Sequence, residues 1–321
     1  MLVSIILPMY NAEKYITNCL ESFERQKSNE IELVVVNDGS IDKSVDICLL
    51  YQKQDTRIKI VNQQNSGVST ARNTGIKYAV GKYIYFLDSD DQLSDEFCKV
   101  ILQSIETDYD IYFFNYWMQK LEGTIIHTRD DIGDVINNNK LLDSIFFTNS
   151  NNEVWCNLYK REVIISNNVV FEDGMKMGED LLFNLAYVRN IHSAVYIAKP
   201  IYIYNSINEN SAMHVSRIEY INDYIHIYKY VMDNYGNCGY NSGLLDIETY
   251  LNAIFRTLLN SKYHKNESTV KDFKNSPLFI DLINYKFQRL IPNLKKRFLR
   301  FHLYRNKLLM NAIRWTIYKG K

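Results

Sequence analysis

The chain has 321 residues, a hydrophobic content of 46% and a formal net charge of zero. These values describe a globular protein with enough apolar side chains for a sizeable core, in one large or two small domains. The cysteines are scattered and show no CxxC or Cys/His metal spacing, which argues against a disulfide framework or a zinc site and favours a reducing cytoplasm. The five are Cys19, Cys48, Cys98, Cys156 and Cys238.

The charges are unevenly distributed along the chain. Eleven Lys or Arg and no Asp or Glu lie between residues 282 and 321, so the remainder carries eleven net negative charges. The N-terminus has no basic leader and too short an apolar run for a signal peptide, and nowhere do about 18 apolar residues follow one another. We therefore expect no membrane-spanning segment.

Strands and helices are predicted to alternate through the first third of the chain. Short β-rich apolar runs indicate strands, and apolar residues at helical spacing indicate helices. We expect strands at 3–7, 32–36, 57–61 and 83–87, and helices at 12–25, 43–52, 68–79 and 95–105. This alternation predicts an α/β fold with a Rossmann-like, mostly parallel central sheet and helices on both faces.

The pattern changes further along the chain. Strands are expected at 110–117 and 195–204, a short helix at 141–147, and another helix from Glu179, since the leucines after it recur at helical spacing. The last part of the chain predicts helices at 218–235, 244–263 and 294–318. The sheet is therefore followed by a C-terminal α-helical region.

The fourth strand ends in an acidic cluster, with Asp88, Asp90 and Asp91 within four residues. Open α/β sheets bind ligands outside the carboxyl ends of their strands. Carboxylates this close repel one another unless they are solvated, cap a helix or share a cation, and a hard ion such as Mg²⁺ or Mn²⁺ fits best. The alternative is that Asp90 or Asp91 caps the helix at 95–105.

Two common phosphate-binding motifs are missing. No GxGxxG follows the first strand, and no GxxxxGK[ST] occurs anywhere. A nicotinamide dinucleotide and a Walker-type loop are therefore not indicated. If phosphates are bound, a metal held by carboxylates is the favoured device.

Five segments together carry a family resemblance. They are Pro8–Asn11, Val36–Ser40, the pair Asn65–Gly67 with Ala71–Gly75, Asp88–Asp91, and Gly178–Asp180. In order and spacing this set resembles family 2 glycosyltransferases over residues 1–205. The resemblance implies a GT-A fold and an inverting transfer from a nucleotide-activated sugar, usually a UDP-sugar.

The same resemblance implies a domain organisation. Residues 1–215 would form the catalytic domain, with a nucleotide-sugar half at about 1–115 and an acceptor half at about 116–215. Residues 216–321 would form a helical C-terminal region with a basic amphipathic tail.

The donor site follows from the matched motifs. In proteins that this chain resembles, Tyr10 lies against the base and Asp38 accepts a hydrogen bond from the uracil ring, while Arg72 lies near the phosphates. An Asx turn is the alternative for Asp38, and a salt bridge to a strand-end carboxylate is the alternative for Arg72. The resemblance also places Pro8, Asn11, Ser66, Gly67 and Ser89 in the nucleotide-sugar site.

The resemblance also assigns the metal ligands and the base. Asp90 would bind Mn²⁺ or Mg²⁺ directly, with Asp88 on the ribose or a metal-bound water, and Asp91 would be structural. His214 is a weaker candidate metal ligand, because a lone histidine is more often a surface residue. Of the pair Glu179 and Asp180, the aspartate would be the general base; otherwise the pair is only a charged helix start.

Two further features concern the partners. Trp155 either stacks under an acceptor sugar or belongs to the core. Residues 294–318 are predicted to form a basic helix with an apolar stripe, which suits an anionic membrane surface; the alternative is packing on the catalytic domain or another subunit. Binding of nucleic acid is not expected, since no recognised motif accompanies the charge.

The sequence thus predicts a cytoplasmic inverting glycosyltransferase, peripheral at the inner face of the plasma membrane. It would extend a surface polysaccharide or glycoconjugate on a glycan or lipid-linked acceptor, and could assemble through its C-terminal helices. The alternatives are a non-catalytic sugar-nucleotide-binding or scaffold protein, and a sugar nucleotidyltransferase, whose glycine-rich signature is missing.

Overall fold

The structure is a computed structural model that describes residues 1–121, 123–128, 135–136, 152–207, 220–235 and 275–276. The predicted helices at 141–147, 244–263 and 294–318 lie outside these residues. Contacts between Cα atoms divide the chain into two compact units, Met1–Met175 with Glu179–His214, and Lys176–Gly178 with Val215–Lys321. The domain boundaries predicted from the sequence stay a prediction.

Ten strands of the described residues form one mixed sheet. Its order is β3-β2-β1-β4-β9-β6-β10-β5, with β7 paired to β6 and β8 paired to β10. The strands are β1 (Val3–Met9), β2 (Ile31–Asp38), β3 (Ile58–Gln63), β4 (Tyr83–Phe86), β5 (Gln92–Leu93), β6 (Ile111–Lys120), β7 (Gly123–His127), β8 (Val135–Ile136), β9 (Asn157–Lys160) and β10 (Ala194–Asn205).

The helices of the described residues alternate with the first strands, as predicted. They are α1 (Ile16–Glu24), α2 (Ser44–Gln54), α3 (Val68–Tyr78), α4 (Phe97–Ser104), α5 (Arg161–Ser166), α6 (Glu179–Val188) and α7 (Tyr220–Tyr235), with a short 3₁₀ helix at Ile105–Thr107. α7 belongs to the second unit, and the other helices belong to the first.

The strand directions confirm the mostly parallel sheet. Pairings among β1, β2, β3 and β4 are parallel, and β6 pairs with β10 in parallel. Between these two groups β9 runs antiparallel to both β4 and β6. The carboxyl ends of β1, β2 and β4 therefore meet at one edge of the sheet, where ligands of such folds bind.

Both faces of the sheet are covered, because the central strands β1 and β2 are mostly apolar and fully buried. Every residue of β1 and β2 is buried. On one face, Ile5 and Leu7 join a core cluster with apolar residues of α1 and α4. On the other face, α3 packs so closely that a side chain at Gly75 would meet Ile6 at 2.3 Å. Helices on both faces are thus confirmed.

Three local predictions differ from the structure. Pro8 does not end the first strand, since β1 continues to Met9 in register with β2. Neither Asp90 nor Asp91 caps α4, whose N-cap is Glu96 without a side-chain capping bond. The short strands β5 and β9 were not predicted, because they owe their conformation to pairing with distant strands.

Among the described residues, Cys19, Cys48, Cys98 and Cys156 are buried and form no disulfide. No described helix is long and apolar enough to cross a bilayer.

Candidate active site

The site is organised by a buried arginine. Arg72 lies on α3, and its side chain is 5% exposed. Its Nη1 donates to Asp180 Oδ1 over 2.7 Å and to Glu179 Oε1 over 3.3 Å, while its Nη2 donates to Asp88 Oδ1 over 3.0 Å. One cation therefore links the acidic turn after β4 to the first turn of α6.

The charges of this cluster are not balanced, because three carboxylates surround one guanidinium. Burial would lower the pKa of Arg72, but the charges of Asp180, Asp88 and Glu179 outweigh it and raise that pKa above its usual range. Arg72 thus stays protonated. We conclude that it is the fixed positive charge of the site.

Asp180 has the properties of a proton acceptor near neutral pH. Burial raises its pKa to about 8, with Arg72 opposing the shift and the carboxylates of Glu179 and Asp88 adding to it. Its Oδ2 accepts from the Val154 N–H over 3.3 Å, and its side chain keeps 20% exposure. A carboxylate held in this way can take a proton from a hydroxyl group that approaches from solvent.

The acidic turn is held by the end of β10. The Tyr202 hydroxyl donates to Asp91 Oδ2 over 2.6 Å and accepts from the Asp88 N–H over 3.3 Å. The Asn205 N–H donates to Asp91 Oδ1 over 2.7 Å, and its side-chain amide donates to the Asp90 carbonyl over 3.3 Å. Asp91 is buried, and burial followed by the charges of Asp90 and Asp88 raises its pKa. Its contacts are structural, whereas Asp88 and Asp90 are partly exposed.

The loop after β1 is fixed to the loop after β2. Asn11, at φ 49°, accepts from the Ile41 N–H over 2.9 Å, and its own N–H donates to the Ser40 hydroxyl over 3.1 Å. Pro8 is buried within β1, whereas the Tyr10 side chain is 51% exposed. Tyr10 is therefore the aromatic side chain of this loop that a ligand can reach.

Asp38 organises the turn that precedes α3. Its Oδ1 accepts from the Gln63 side-chain amide over 2.7 Å and from the Ser66 N–H over 2.8 Å, and its Oδ2 accepts from the Gly67 N–H over 2.8 Å. Gly67 has φ 93°, a conformation that favours glycine, and is the N-cap of α3. The Asx-type contact at this strand end is made instead by Asn37, which accepts from the Ser40 N–H.

Trp155 lies in an aromatic cluster formed with three tyrosines. It stacks on Tyr202 and Tyr204 with centroids 4.9 and 5.3 Å away, and meets Tyr116 edge-on at 4.8 Å. The ring is partly buried against the core. It follows Val154, whose N–H contacts Asp180. Trp155 thus has core contacts and directly follows the residue whose N–H contacts Asp180.

The remaining sequence predictions fall as follows. Ser66 and Gly67 are exposed at the start of α3, and Ser89 is partly exposed in the acidic turn. His214 and residues 294–318 lie outside the described residues. Within the described part of the chain, no three His, Cys, Asp or Glu side chains are grouped as a metal site.

Sequence reasoning missed several residues that hold the site together. The sequence placed Tyr202 only within the predicted strand at 195–204, Asn205 just after that strand, and Phe171 only before an acidic motif. Asn73 was part of a matched motif but had no role. No local signal identifies such residues, because their partners are distant in sequence.

Comparison with known families places this architecture. A sequence model described as glycosyl transferase family 2 matches residues 4–166. The chain belongs to glycosyl transferase family 2. The uncharacterized glycosyltransferase EpsJ of Bacillus subtilis (strain 168) is 35% identical over 221 residues, which cover 65% of this chain and 62% of EpsJ.

Two further proteins are similar to this family member. The minor teichoic acid biosynthesis protein GgaB of Bacillus subtilis (strain 168) is 50% identical over 95 residues, which cover 29% of this chain and 11% of GgaB. The chain thus spans less than two thirds of the length of both curated relatives. The structure of S. aureus TarS 1–349 in complex with UDP-GlcNAc matches 92% of this chain and 84% of that one, with a TM-score of 0.65 and 22% identity. This likeness confirms the GT-A fold.

Proposed function

We propose that this family 2 protein is an inverting glycosyltransferase that moves a sugar from a nucleotide-sugar to an acceptor hydroxyl. The observation that carries the proposal is Arg72, which joins Asp88 on the strand-end side to Asp180 on α6. Asp180 removes the proton of the acceptor hydroxyl as its oxygen attacks the anomeric carbon, and the nucleoside diphosphate leaves on the opposite side. Glu179 adds a second carboxylate to the first turn of α6, where the positive end of the helix dipole stabilises negative charge.

The proposed donor is a UDP-sugar. Tyr10 offers an exposed aromatic face for the uracil ring of the donor. Asp38 holds Ser66 and Gly67 at the same edge of the sheet. The fold neighbour TarS was solved with UDP-GlcNAc. Asn11 lies in the same loop as Tyr10, Pro8 lies in β1 just before that loop, and Ser89 lies in the acidic turn after β4. In this proposal Arg72 positions the carboxylates of Asp88 and Asp180, which corresponds to the salt-bridge alternative that the sequence left open.

We further propose a bound Mn²⁺ or Mg²⁺ held by Asp90 and Asp88. Hard divalent cations prefer carboxylate oxygens. Asp88 uses Oδ1 toward Arg72, and its Oδ2 makes no hydrogen bond to a described residue. When bound, the ion supplies positive charge that stabilises the leaving diphosphate. Asp91 accepts hydrogen bonds from Tyr202 and Asn205 and stabilises the conformation of the acidic turn.

The proposal also includes the acceptor and the cellular location. Trp155, which directly follows the residue whose N–H contacts Asp180, suits a glycan or lipid-linked acceptor, since aromatic rings pack on apolar sugar faces. The name of GgaB supports a role in surface polysaccharide or glycoconjugate synthesis. The basic charge of residues 294–318 supports a cytoplasmic protein at the anionic inner face of the plasma membrane. C-terminal helices would be the place for an oligomer contact.

The test is release of nucleoside diphosphate from UDP-, GDP- and dTDP-sugars, with Mn²⁺ or with chelator. We expect one UDP-sugar to turn over with metal only, and Asp90→Ala to abolish this. Asp95→Ala is the matched control, because Asp95 is an exposed partner of Arg25. Absence of turnover together with absence of UDP binding would overturn the proposal. Full activity of Asp90→Ala would overturn the metal assignment alone.

A further inference from the structure

Asn73 holds the backbone of Phe171 with both ends of its side-chain amide. Its Nδ2 donates to the Phe171 carbonyl oxygen over 2.8 Å, and its Oδ1 accepts from the Phe171 N–H over 2.9 Å. This pair takes the place of the two bonds that a neighbouring strand would make. α3 therefore fixes a residue that lies 98 positions further along the chain.

A second side chain of α3 extends this attachment. Thr70 donates its hydroxyl to Oδ1 of Asp173 over 2.7 Å. Thr70 and Asn73 are three residues apart and so share one face of the helix. We call these contacts of Thr70 and Asn73 the α3 clamp; together they hold residues 171–173.

The α3 clamp acts on the helix that carries Asp180. The Phe171 ring is 1% exposed and stacks on Phe183 of α6, with centroids 4.0 Å apart and ring planes at 9°. It also packs edge-on against Phe86 of β4 at 5.2 Å. Residue 171 is thus the point at which α3, β4 and α6 meet.

Arg72 and Asn73, two consecutive residues of α3, therefore help to position Asp180 in different ways. Arg72 pairs with Asp180 by charge, and its guanidinium lies 5.3 Å from the Phe171 ring. Asn73 fixes Phe171 and through it the packing of Phe183. α3 begins at Val68, directly after the turn at Gly67 that Asp38 holds in the proposed donor site. α3 is thus a rigid connection between donor loop and base.

We propose that Asn73 is a positioning residue that sets the place of Asp180 relative to the donor. This inference rests on the proposed role of Asp180 as the base. Transfer requires the attacking oxygen and the base to be placed within a fraction of an ångström, so a small shift of α6 slows the reaction without loosening the donor. The expected signature is a fall in kcat at constant donor affinity.

The main variant is Asn73→Leu, which keeps the branched shape and loses both hydrogen bonds. Using UDP release from the donor identified above, we expect kcat to fall by about 10- to 100-fold while the dissociation constant of UDP changes less than about twofold. Asn190→Leu is the matched control, because Asn190 also donates its amide to a backbone carbonyl, that of Ala186, over 2.8 Å. Its kcat should stay at the unmodified value.

A double-mutant cycle separates positioning from general damage. If Asn73 acts through Asp180, adding Asn73→Leu to Asp180→Asn should cause no further loss of kcat. The same fold-loss in both backgrounds would show a merely structural role and overturn the inference. An unchanged kcat in Asn73→Leu would do so as well.

Hydrogen exchange gives a readout that needs no turnover. In Asn73→Leu the Phe171 amide should exchange faster, and the amides of the first turn of α6 should follow, whereas Asn190→Leu should leave both unchanged. Unaltered exchange over residues 171–180 would overturn the inference. If Asn73→Leu does not fold, Thr70→Val takes its place in each measurement. A protein that neither turns over a donor nor binds UDP would refute the proposed function, and the exchange result would still show whether the α3 clamp positions α6.

Discussion

Nη1 of Arg72 donates to Oδ1 of Asp180 over 2.7 Å, inside a site where the Arg72 side chain is 5% exposed. Because Asp88 and Glu179 share the same guanidinium, a single cation compensates three carboxylates. Removal of that cation would leave like charges together in a poorly hydrated place. We therefore expect Arg72 to contribute both to stability and to the position of the Asp180 carboxylate.

The first prediction concerns this charge. Arg72→Met keeps an unbranched side chain but removes the guanidinium, and we expect the free energy of unfolding to fall by about 3–5 kcal/mol, as for other buried pairs that lose one partner. Chemical denaturation measures the change. Arg25→Met is the control: the Arg25–Asp95 pair is 46% and 80% exposed, so its loss should cost less than about 1 kcal/mol. Equal losses would contradict the assigned role.

The second prediction concerns Asp180 itself. Asp180→Asn retains the shape but cannot accept a proton, and its single amide oxygen can accept from only one of the two N–H donors, Arg72 and Val154. We expect kcat to fall by about 10²- to 10⁴-fold, with UDP affinity retained. Comparison with Asp95→Asn, an exposed aspartate that pairs with Arg25 outside the site, controls for the loss of one charge. A variant that kept most of its transfer rate would remove Asp180 from the mechanism.

The third prediction is a pH dependence. Burial raises the pKa of Asp180 to about 8, so the carboxyl group is protonated and inactive as a base at lower pH. As the pH rises toward 8 the ionised fraction grows, and kcat/KM, which reports the free enzyme, should rise about tenfold per pH unit and level off above 8. The kcat/KM of Asp180→Asn should not show this rise with pH. A flat profile in the unmodified protein between pH 6 and 8 would argue against the base.

The fourth prediction concerns the acidic turn. Tyr202→Phe removes the hydroxyl that bonds Asp91 Oδ2 and keeps the ring under Trp155. We expect a loss of stability of about 1–3 kcal/mol and a severalfold rise in the Mn²⁺ concentration that gives half-maximal rate. Tyr196→Phe is matched, because its hydroxyl also makes a buried 2.6 Å bond, to Asn115 on β6. It should lose stability but leave the metal requirement unchanged.

The fifth prediction tests the packing of α3 on the sheet. A Cβ added at Gly75 would lie 2.3 Å from Cγ2 of Ile6 on β1. Gly75→Ala should therefore destabilise the protein by about 1–3 kcal/mol, as overpacking does. Thermal unfolding of Gly75→Ala/Ile6→Ala should show less loss than the two single variants added together. Strict additivity would mean that the two residues do not touch.

Much of the fold could be predicted because its elements are locally determined. The predicted strand at 32–36 lies within β2, and the predicted helix at 68–79 differs from α3 by one residue at its end. A continuous apolar run indicates a strand buried on both faces, and apolar residues at helical spacing indicate a helix buried on one face. Both patterns can be recognised from neighbouring residues alone. By contrast β9 contains only four residues and is a strand because β4 and β6 pair with it on either side.

The site divides in the same way. The sequence determined the family, the acidic turn, and the presence of Asp38, Arg72 and Asp180 in matched motifs, because these depend on residue type and spacing along the chain. Only the tertiary structure decided that Arg72 pairs with a carboxylate 108 residues away, that Tyr202 holds the acidic turn, and that Asn73 holds Phe171. The order of strands in the sheet brings such partners together, and no pattern among neighbouring residues records that order.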